Sequence, residues 1–349
     1  MMSSRIKTRR CGAAGIVAVA LLTVAACGGG SDESSSGDGP RTVNIASATS
    51  SLSAGIPLAA LSLQTFADHD LKPKYTDFAG SSPNTVAAVA SGSADVGLVG
   101  AATGWDAMQE GAPLKLVAAI AGNTSELAMR TDVAERLGTT EEDPIEDRVA
   151  ALEGLKIATA ETGSANNQML RSILTLYGMD PDQDVTIVPS EPTAIVAGLK
   201  NKAFDAAFYG IGVMQQNYAD GSAMQLINLP RGDVPELSEI VFAFVLARSD
   251  TVAENPELID DFINSLRDAG MAIKDDGDAT KIAVKERWFP DLEDTVFDLS
   301  WDQVKPAWLL DCEITQSQLE ASLDFQAETT GKTYDQVTFD DDVIPTAQG

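Results

Sequence analysis

Residues 80–100 read GSSPNTVAAVASGSADVGLVG, from Gly80 to Gly100. The order is loop, helix, tight turn, strand, loop. Ser81 or Ser82 can cap the helix, and Pro83 suits its first turn. Val86, Val89 and Ala90 place apolar groups at helical spacing. Gly92 stands just past the helix end, where a left-handed residue is common. Asp95 then opens a short apolar run, Val96 to Val99, of buried-strand type, and Gly100 follows it. In open α/β sheets, ligands bind outside the carboxyl ends of strands and at helix N-termini. The unit therefore holds two candidate ligand-facing points, Ser81/Ser82 and Gly100/Ala101.

The same grammar returns in Thr193 to Gly210, TAIVAGLKNKAFDAAFYG. Asp205 aligns with Asp95, and Gly210 with Gly100. Helix-turn-strand units look alike in any α/β protein, so the likeness is compatible with a generic origin. The sharper reading is two similar α/β lobes, each supplying one wall of a cleft.

The chain has 349 residues, 44% of them hydrophobic, which is enough for a sizeable core and about two domains. Net charge is −28. The first 26 residues hold Arg5, Lys7, Arg9 and Arg10 and no acid; the remainder carries 20 basic and 52 acidic side chains, a net −32. Phosphates would be repelled over most of such a surface, so nucleic acid is excluded as a partner. The three cysteines, Cys11, Cys27 and Cys312, form neither a disulfide framework nor a zinc spacing. Cys312 is expected to be a buried or half-buried thiol.

Arg5 to Arg10 is a basic stretch, and Ala13 to Ala26 is an apolar one of small residues and leucines. It is too short to span a membrane and has the shape of an export signal. Its end, Leu22-Thr23-Val24-Ala25-Ala26-Cys27-Gly28, resembles a bacterial lipobox, in which the cysteine is acylated and becomes the mature N-terminus. Residues 1–26 are thus read as a lipoprotein signal peptide and 27–40 as a flexible tether. The 13 Gly/Ser-rich residues Gly28 to Pro40 span roughly 20 Å. Two acyl chains at Cys27 would hold the globular part just outside the membrane.

In the folded part, Thr42 to Ala48 reads as a strand with a polar loop after it. Pro57 to Phe66 reads as a helix and Leu71 to Phe78 as extended. After the opening unit come a helix over Thr103 to Gln109 and strands over Leu114 to Ala121 and Glu126 to Arg130. Asp132 to Asp147 is acidic and loop-like. A second α/β unit follows: strand Leu155 to Ala160, helix Asn167 to Tyr177, strand Val185 to Val188, the echo unit, and strands Met224 to Leu229 and Ile240 to Ala247. The tail reads as four helices, Pro256 to Lys274, Ala279 to Trp288, Trp301 to Leu310 and Thr315 to Thr329, with spacings such as Leu258, Phe262, Leu266. If the tail packs on the first unit, the chain crosses between lobes twice, and two crossings make a hinge.

Four stretches, AGSSPNTVAAVASGSADVGLVG (79–100), EGAPLKLVAAIAG (110–122), LEGLKIATAETGSANNQMLRSILTLYGM (152–179) and VTIVPSEPTAIVAGLKNKAFDAAFYG (185–210), resemble the solute-binding proteins of ATP-driven importers for nitrate, sulfonates, taurine and thiamine precursors. The resemblance covers roughly residues 41 to 250. It implies an α/β, two-lobed, periplasmic-binding-protein-like fold of type II, with a two-crossing hinge and a helical tail packed on lobe 1. Lobe 1 would be 41–125 with 243–349, and lobe 2 would be 126–242. It implies no catalysis, no cofactor and no metal, but capture of a small molecule by a monomer and its delivery to a permease and ATPase complex. The family's ligand loops map onto Ser50, Ser51, Ser53, Ser81, Ser82, Gly100, Ala101 and Thr103 in lobe 1. In lobe 2 they map onto Thr162, Gly163, Ser164, Ala165, Asn166, Glu191, Thr193, Tyr209 and Gly210.

Hydroxyls and N–H groups at helix N-termini can hold an oxyanion without a buried arginine. Glu161 and Glu191 depart from that pattern: facing the cleft they would favour a cationic or amine-bearing ligand, facing solvent they carry no function. Trp105, Phe208 and Tyr209 can either stack on a flat ring or belong to the core. His69 is the only histidine. No G-x-S-x-G, P-loop, HExxH or G-x-G-x-x-G accompanies it. The remaining alternatives are a thiamine-precursor-synthase-like enzyme on the same fold and a ligand-sensing surface lipoprotein without a permease.

Overall fold

The computed structural model of the chain describes residues 39–162 and 164–349. The signal peptide, Cys27, nearly all of the tether and Gly163 lie outside the described residues. Ten strands are present among the described residues: β1 (Arg41–Ser47), β2 (Leu71–Asp77), β3 (Val96–Gly100), β4 (Leu114–Gly122), β5 (Ser125–Arg130), β6 (Lys156–Thr159), β7 (Thr186–Pro189), β8 (Ala206–Gly210), β9 (Ala223–Asn228) and β10 (Val241–Arg248). They form two five-stranded sheets, in the orders β2-β1-β3-β10-β4 and β7-β6-β8-β5-β9.

The two sheets share one plan. Three parallel strands lead each, joined by helical crossovers, and the fourth position is an antiparallel strand. That antiparallel strand is in each case the one that has just arrived from the other sheet. β5 follows the first crossing, Asn123-Thr124, and β10 follows the second, residues 229–240. The likeness extends to single atoms. Asp95 Oδ2 accepts from the Asn44 amide at 2.7 Å, and Asp205 Oδ2 accepts from the Lys156 amide at 3.0 Å. Each acid stands just before its own strand and holds a backbone amide of the neighbouring parallel strand, away from the ligand edge.

Val, Ile, Leu and Ala fill the strands because both faces of each sheet are covered. The tail packs on the first sheet's helices. Phe66 meets Phe262 at 5.7 Å between ring centroids, and Thr65 Oγ1 donates to the Ser265 carbonyl at 2.7 Å. Trp308 Nε1 donates to the Leu52 carbonyl at 2.8 Å, and its indole lies where a Cβ on Gly55 would stand. His69 is half-buried in this tail contact, with Nε2 at 2.7 Å from Asp268.

Three readings of the chain change. The helix expected over Pro57 to Phe66 is Gly55–Leu63, ended by Gln64 in a left-handed conformation, and a short turn of helix resumes at Thr65. The acidic stretch 132–147 is loop only over 138–144: helices Thr131–Leu137 and Ile145–Ala150 bury Val133, Ala134 and Val149, and Asp132, Glu146 and Asp147 stand in their first turns, where the helix dipole favours them. The third tail helix is Asp294–Val304, not Trp301 to Leu310. Lys305-Pro306-Ala307 forms one 3-10 turn, and Trp308 beyond it is extended. Cys312 is buried, and burial pushes its thiol up to about 12.

Candidate ligand cleft

The carboxyl ends of the parallel strands in both sheets, and both crossings, meet at one cleft. It holds two adjoining hollows of about 370 Å³ and about 200 Å³. Ser82, Gly100 and Phe242 line both and divide one from the other. Two wider grooves, of about 450 and 400 Å³, lie on the surface of the first lobe away from these strand ends.

The larger hollow is faced by the hydroxyls of Ser47, Thr49, Ser53, Ser82, Thr124 and Ser125, by Asn166, and by the backbone at Gly100 and Gly210. The smaller one is more apolar. Trp105, Ile240, Val241 and Phe325 form its walls, and Gln168 of lobe 2 and Gln326 of lobe 1 supply amides. Three helices begin at the cleft: Ser82–Ala90, Ala101–Gln109 and Ala165–Leu176, each with a lining residue in its first turn. Their first N–H groups have no partner inside the helix, and their dipoles are positive at this end. No Asp, Glu, Lys, Arg or His lines either hollow among the described residues.

The expected ligand residues divide into three groups. Ser53, Ser82, Gly100, Asn166 and Gly210 line the larger hollow, and Ala101, Thr103 and Ala165 line the smaller. Ser82 Oγ accepts from the Gly100 amide at 3.1 Å, so the two points of the opening unit are joined. A second group supports the first. Ser81 and Ser164 are N-caps, accepting from Asn84 and Asn167 amides at 3.3 Å. Ser51 Oγ lies 2.7 Å from Ser53 Oγ, and Ser50 is bonded to Asp77 and Tyr75. The third group stands off both hollows. Thr162, Glu191 and Thr193 are exposed, and Tyr209 is half-buried, its phenol pushed up by burial and then by the Glu191 charge. Glu161 is exposed as well. Phe208 is core; Trp105 is both core and wall, tilted at 42° against Phe244 with 4.2 Å between centroids.

Several cleft residues were not among those expected. Thr124 and Ser125 follow the carboxyl end of β4 as Ser50 to Ser53 follow β1, a signal that was present in the polar break between two apolar strands. Phe242 carries no such signal inside the apolar run IVFAFVLA. Glu126, next to Ser125, is fully buried. Burial pushes its carboxyl up to about 7, against hydrogen bonds from Gln225 and Gln215 and the neighbouring Tyr218. Two buried polar groups without a partner among the described residues, Asn123 Nδ2 and Thr159 Oγ1, stand at the first crossing and at the carboxyl end of β6.

Two α/β lobes of identical strand plan, crossed twice and open at their strand ends, define a periplasmic-binding-protein-like fold of the two-lobed kind. Residues 58–279 match the family model described as NMT1/THI5 like, and the chain belongs to that family. Solved structures of the same fold include the alkanesulfonate-binding protein SsuA from Xanthomonas axonopodis pv. citri bound to MOPS, at 17% identity and TM-score 0.62, covering 90% of this chain and 100% of that one. The periplasmic aliphatic sulphonate binding protein SsuA from Escherichia coli matches at 18% identity and TM-score 0.63, over 84% of this chain and 95% of that one. The periplasmic nitrate-binding protein NrtA from Synechocystis PCC 6803 matches at 16% and 0.56, over 85% and 87%. No curated protein matches the sequence.

Proposed function

We propose that the chain is an extracytoplasmic substrate-binding protein, lipid-anchored at Cys27, that captures a small polar ligand between its lobes and delivers it to an ABC permease and its ATPase. The lobes in this reading are 41–125 with 243–349, and 126–242. The observation that carries it is the convergence of three helix N-termini and a set of hydroxyls on two hollows that no charged side chain lines among the described residues. Such a lining suits a compact oxyanion or neutral polar head in the larger hollow. The smaller hollow, with Phe325, Ile240 and two glutamines, suits an apolar or ring-bearing remainder. Glu161 and Glu191 are exposed and line neither hollow, which supports an anionic or neutral ligand over an amine. The enzyme alternative needs a histidine in the site, and His69 is instead held by Asp268 in the tail contact.

The test is ligand-induced stabilisation. A true ligand at 100 times its Kd is expected to add about 2.7 kcal/mol to unfolding. A panel of alkyl- and arylsulfonates, nitrate, pyrimidines and small amines that leaves the melting curve unmoved would reject this ligand class. The anchor is tested separately: Cys27→Ala is expected to release the protein from the membrane fraction into the medium or periplasm. Full retention of that variant would reject acylation at Cys27.

A further inference from the structure

Glu126 is buried completely, and among the described residues no lysine, arginine or histidine acts on its carboxyl. A buried carboxyl without a counter-cation is costly unless it is hydrogen-bonded, and here it sits at the start of the strand that follows the first crossing. From β9, Gln225 donates its side-chain amide to Oε2. From the helix Gln215–Ala219, Gln215 Nε2 donates to Oε1 at 2.7 Å. Tyr218 of the same helix is buried beside the carboxylate, without strict hydrogen-bond geometry to any group, and among the described residues is the only titratable one that acts on Glu126. Across β8 the register partner is Tyr209, and across β9 it is Asn228.

Gln215 uses every polar atom it has. Its second N–H goes to Gln303 Oε1 at 2.9 Å, on the tail helix Asp294–Val304. That helix is rooted in the first lobe's core by Phe297 and Trp301. Gln215 Oε1, the side-chain amide oxygen, accepts from the Gly212 amide at 2.7 Å. Gly212 has φ +112, a conformation that suits glycine, and it lies two residues after Gly210 of the cleft wall. The intervening Ile211 amide donates to the Thr124 carbonyl at 2.8 Å, in the first crossing. One side-chain amide thus joins the cleft loop, the crossing strand and the opposite lobe's tail.

We propose that Glu126 is a positioning residue for the cleft: acting through Gln215, it fixes the loop Gly210–Gly212 and ties it to the tail helix, and it does so as a carboxylate and not as an acid. A hydrogen bond to an ionised acceptor is roughly twice as strong as one to a neutral acceptor. The carboxylate therefore orients the Gln215 amide, and that orientation sends its other N–H to Gln303 and its oxygen to Gly212. Protonation weakens the first bond and frees the amide to turn. The raised carboxyl of Glu126, about 7, places this change near neutrality. The inference rests on the reading of the cleft as a ligand site, but its test uses no ligand.

The test is amide hydrogen exchange of Gly212, corrected for the intrinsic rate at each pH, together with carbon-13 NMR of the glutamate carboxyls. The Glu126 resonance is expected to titrate near pH 7 and to be missing in Glu126→Gln. Gly212 protection in the native chain is expected to be about tenfold higher at pH 8 than at pH 6. Global stability contributed by Glu126 runs the other way. With its folded value raised, that contribution is full below the ordinary carboxylate range and is lost as pH rises through about 7. General loosening of the fold would move both readouts together, and positioning moves them apart. In Glu126→Gln the pH difference at Gly212 is expected to vanish. Should that variant fail to fold, Gln215→Met keeps the Glu126 titration while Gly212 loses protection at both pH values. Equal Gly212 protection at pH 6 and 8 in the native chain overturns the proposal, as does a pH difference that survives either substitution. Failure of the ligand panel alone leaves it standing.

Discussion

Asp233→Ala is expected to cost about 3–5 kcal/mol of unfolding free energy, the range for stripping one partner from a buried ion pair. Asp233 lies in the second crossing, and both it and Arg148 are 8% exposed at the side chain. Arg148 Nη1 donates to Asp233 Oδ2 at 2.7 Å and to the Leu226 carbonyl at 3.0 Å, while its Nε has no partner among the described residues. Removing the carboxylate leaves a guanidinium inside the second lobe with one carbonyl for company. Arg148→Met is expected to cost less than half as much, because Asp233 keeps Arg231 Nε at 2.8 Å and the Asn228 amide at 2.8 Å. Urea unfolding at pH 7 measures both. The pH dependence has a definite sign. Burial pushes the Asp233 carboxyl up, and hydrogen bonds from Arg231, the Asn228 amide and Arg148 more than offset this, so it stands below its ordinary range. Its stabilisation is present above the ordinary carboxylate range and is lost as pH falls through the folded value. The difference between native chain and variant therefore shrinks in acid. A cost under about 1 kcal/mol at pH 7 would mean that the pair is not buried as described.

Gly210→Trp is expected to abolish ligand-induced stabilisation, taking the gain of about 2.7 kcal/mol at 100 times Kd to near zero. A Cβ on Gly210 meets nothing within 4 Å, and its backbone is not left-handed, so the fold accepts a side chain there. The position lines the larger hollow, opposite Ser82 and Gly100 across the cleft. An indole would occupy space that the ligand needs. Stability without ligand is expected to stay within about 0.5 kcal/mol of the native chain, as for a substitution that breaks no packed contact. Thr193→Trp, exposed and away from both hollows, should keep the full ligand effect. Any compound found by the panel to stabilise the native chain serves as the probe. Undiminished stabilisation of Gly210→Trp would place the ligand elsewhere.

Most of the fold was legible along the chain. The helix-turn-strand units at 80–100 and 193–210 are where they were read, and Asp95 and Asp205 are twins down to the strand amide each one accepts from. Local signals sufficed there because a cap, a glycine and a run of β-branched residues act over a few neighbours. The misread stretches have local causes too. Gln64 ends a helix without the glycine that announces such an end, and the acids of 132–147 resemble a solvated loop until the buried face opposite them is seen. The candidate site was legible in part. Ser82, Gly100, Asn166 and Gly210 stand at element ends, the carboxyl ends of strands and the first turns of helices. Glu191, Thr193 and Tyr209 have the same local look and stand off the hollows.

What the sequence determined by itself is most of the elements, their pairing into two similar units, and the strongly acidic net charge. These follow from periodicity, capping and charge, which need no partner outside the segment. What the tertiary structure decided is which loop residues share a wall, and which charges are kept from water. Glu126 in SELAMR reads as one more polar position of an alternating strand. It becomes a buried carboxyl at the first crossing because Gln215 and Tyr218 of the helix Gln215–Ala219 and Gln225 of β9 close on it, and Gln303 of the tail meets it only through Gln215. Burial is a property of what packs on a residue, and for Glu126 the covering helix lies far downstream in the chain.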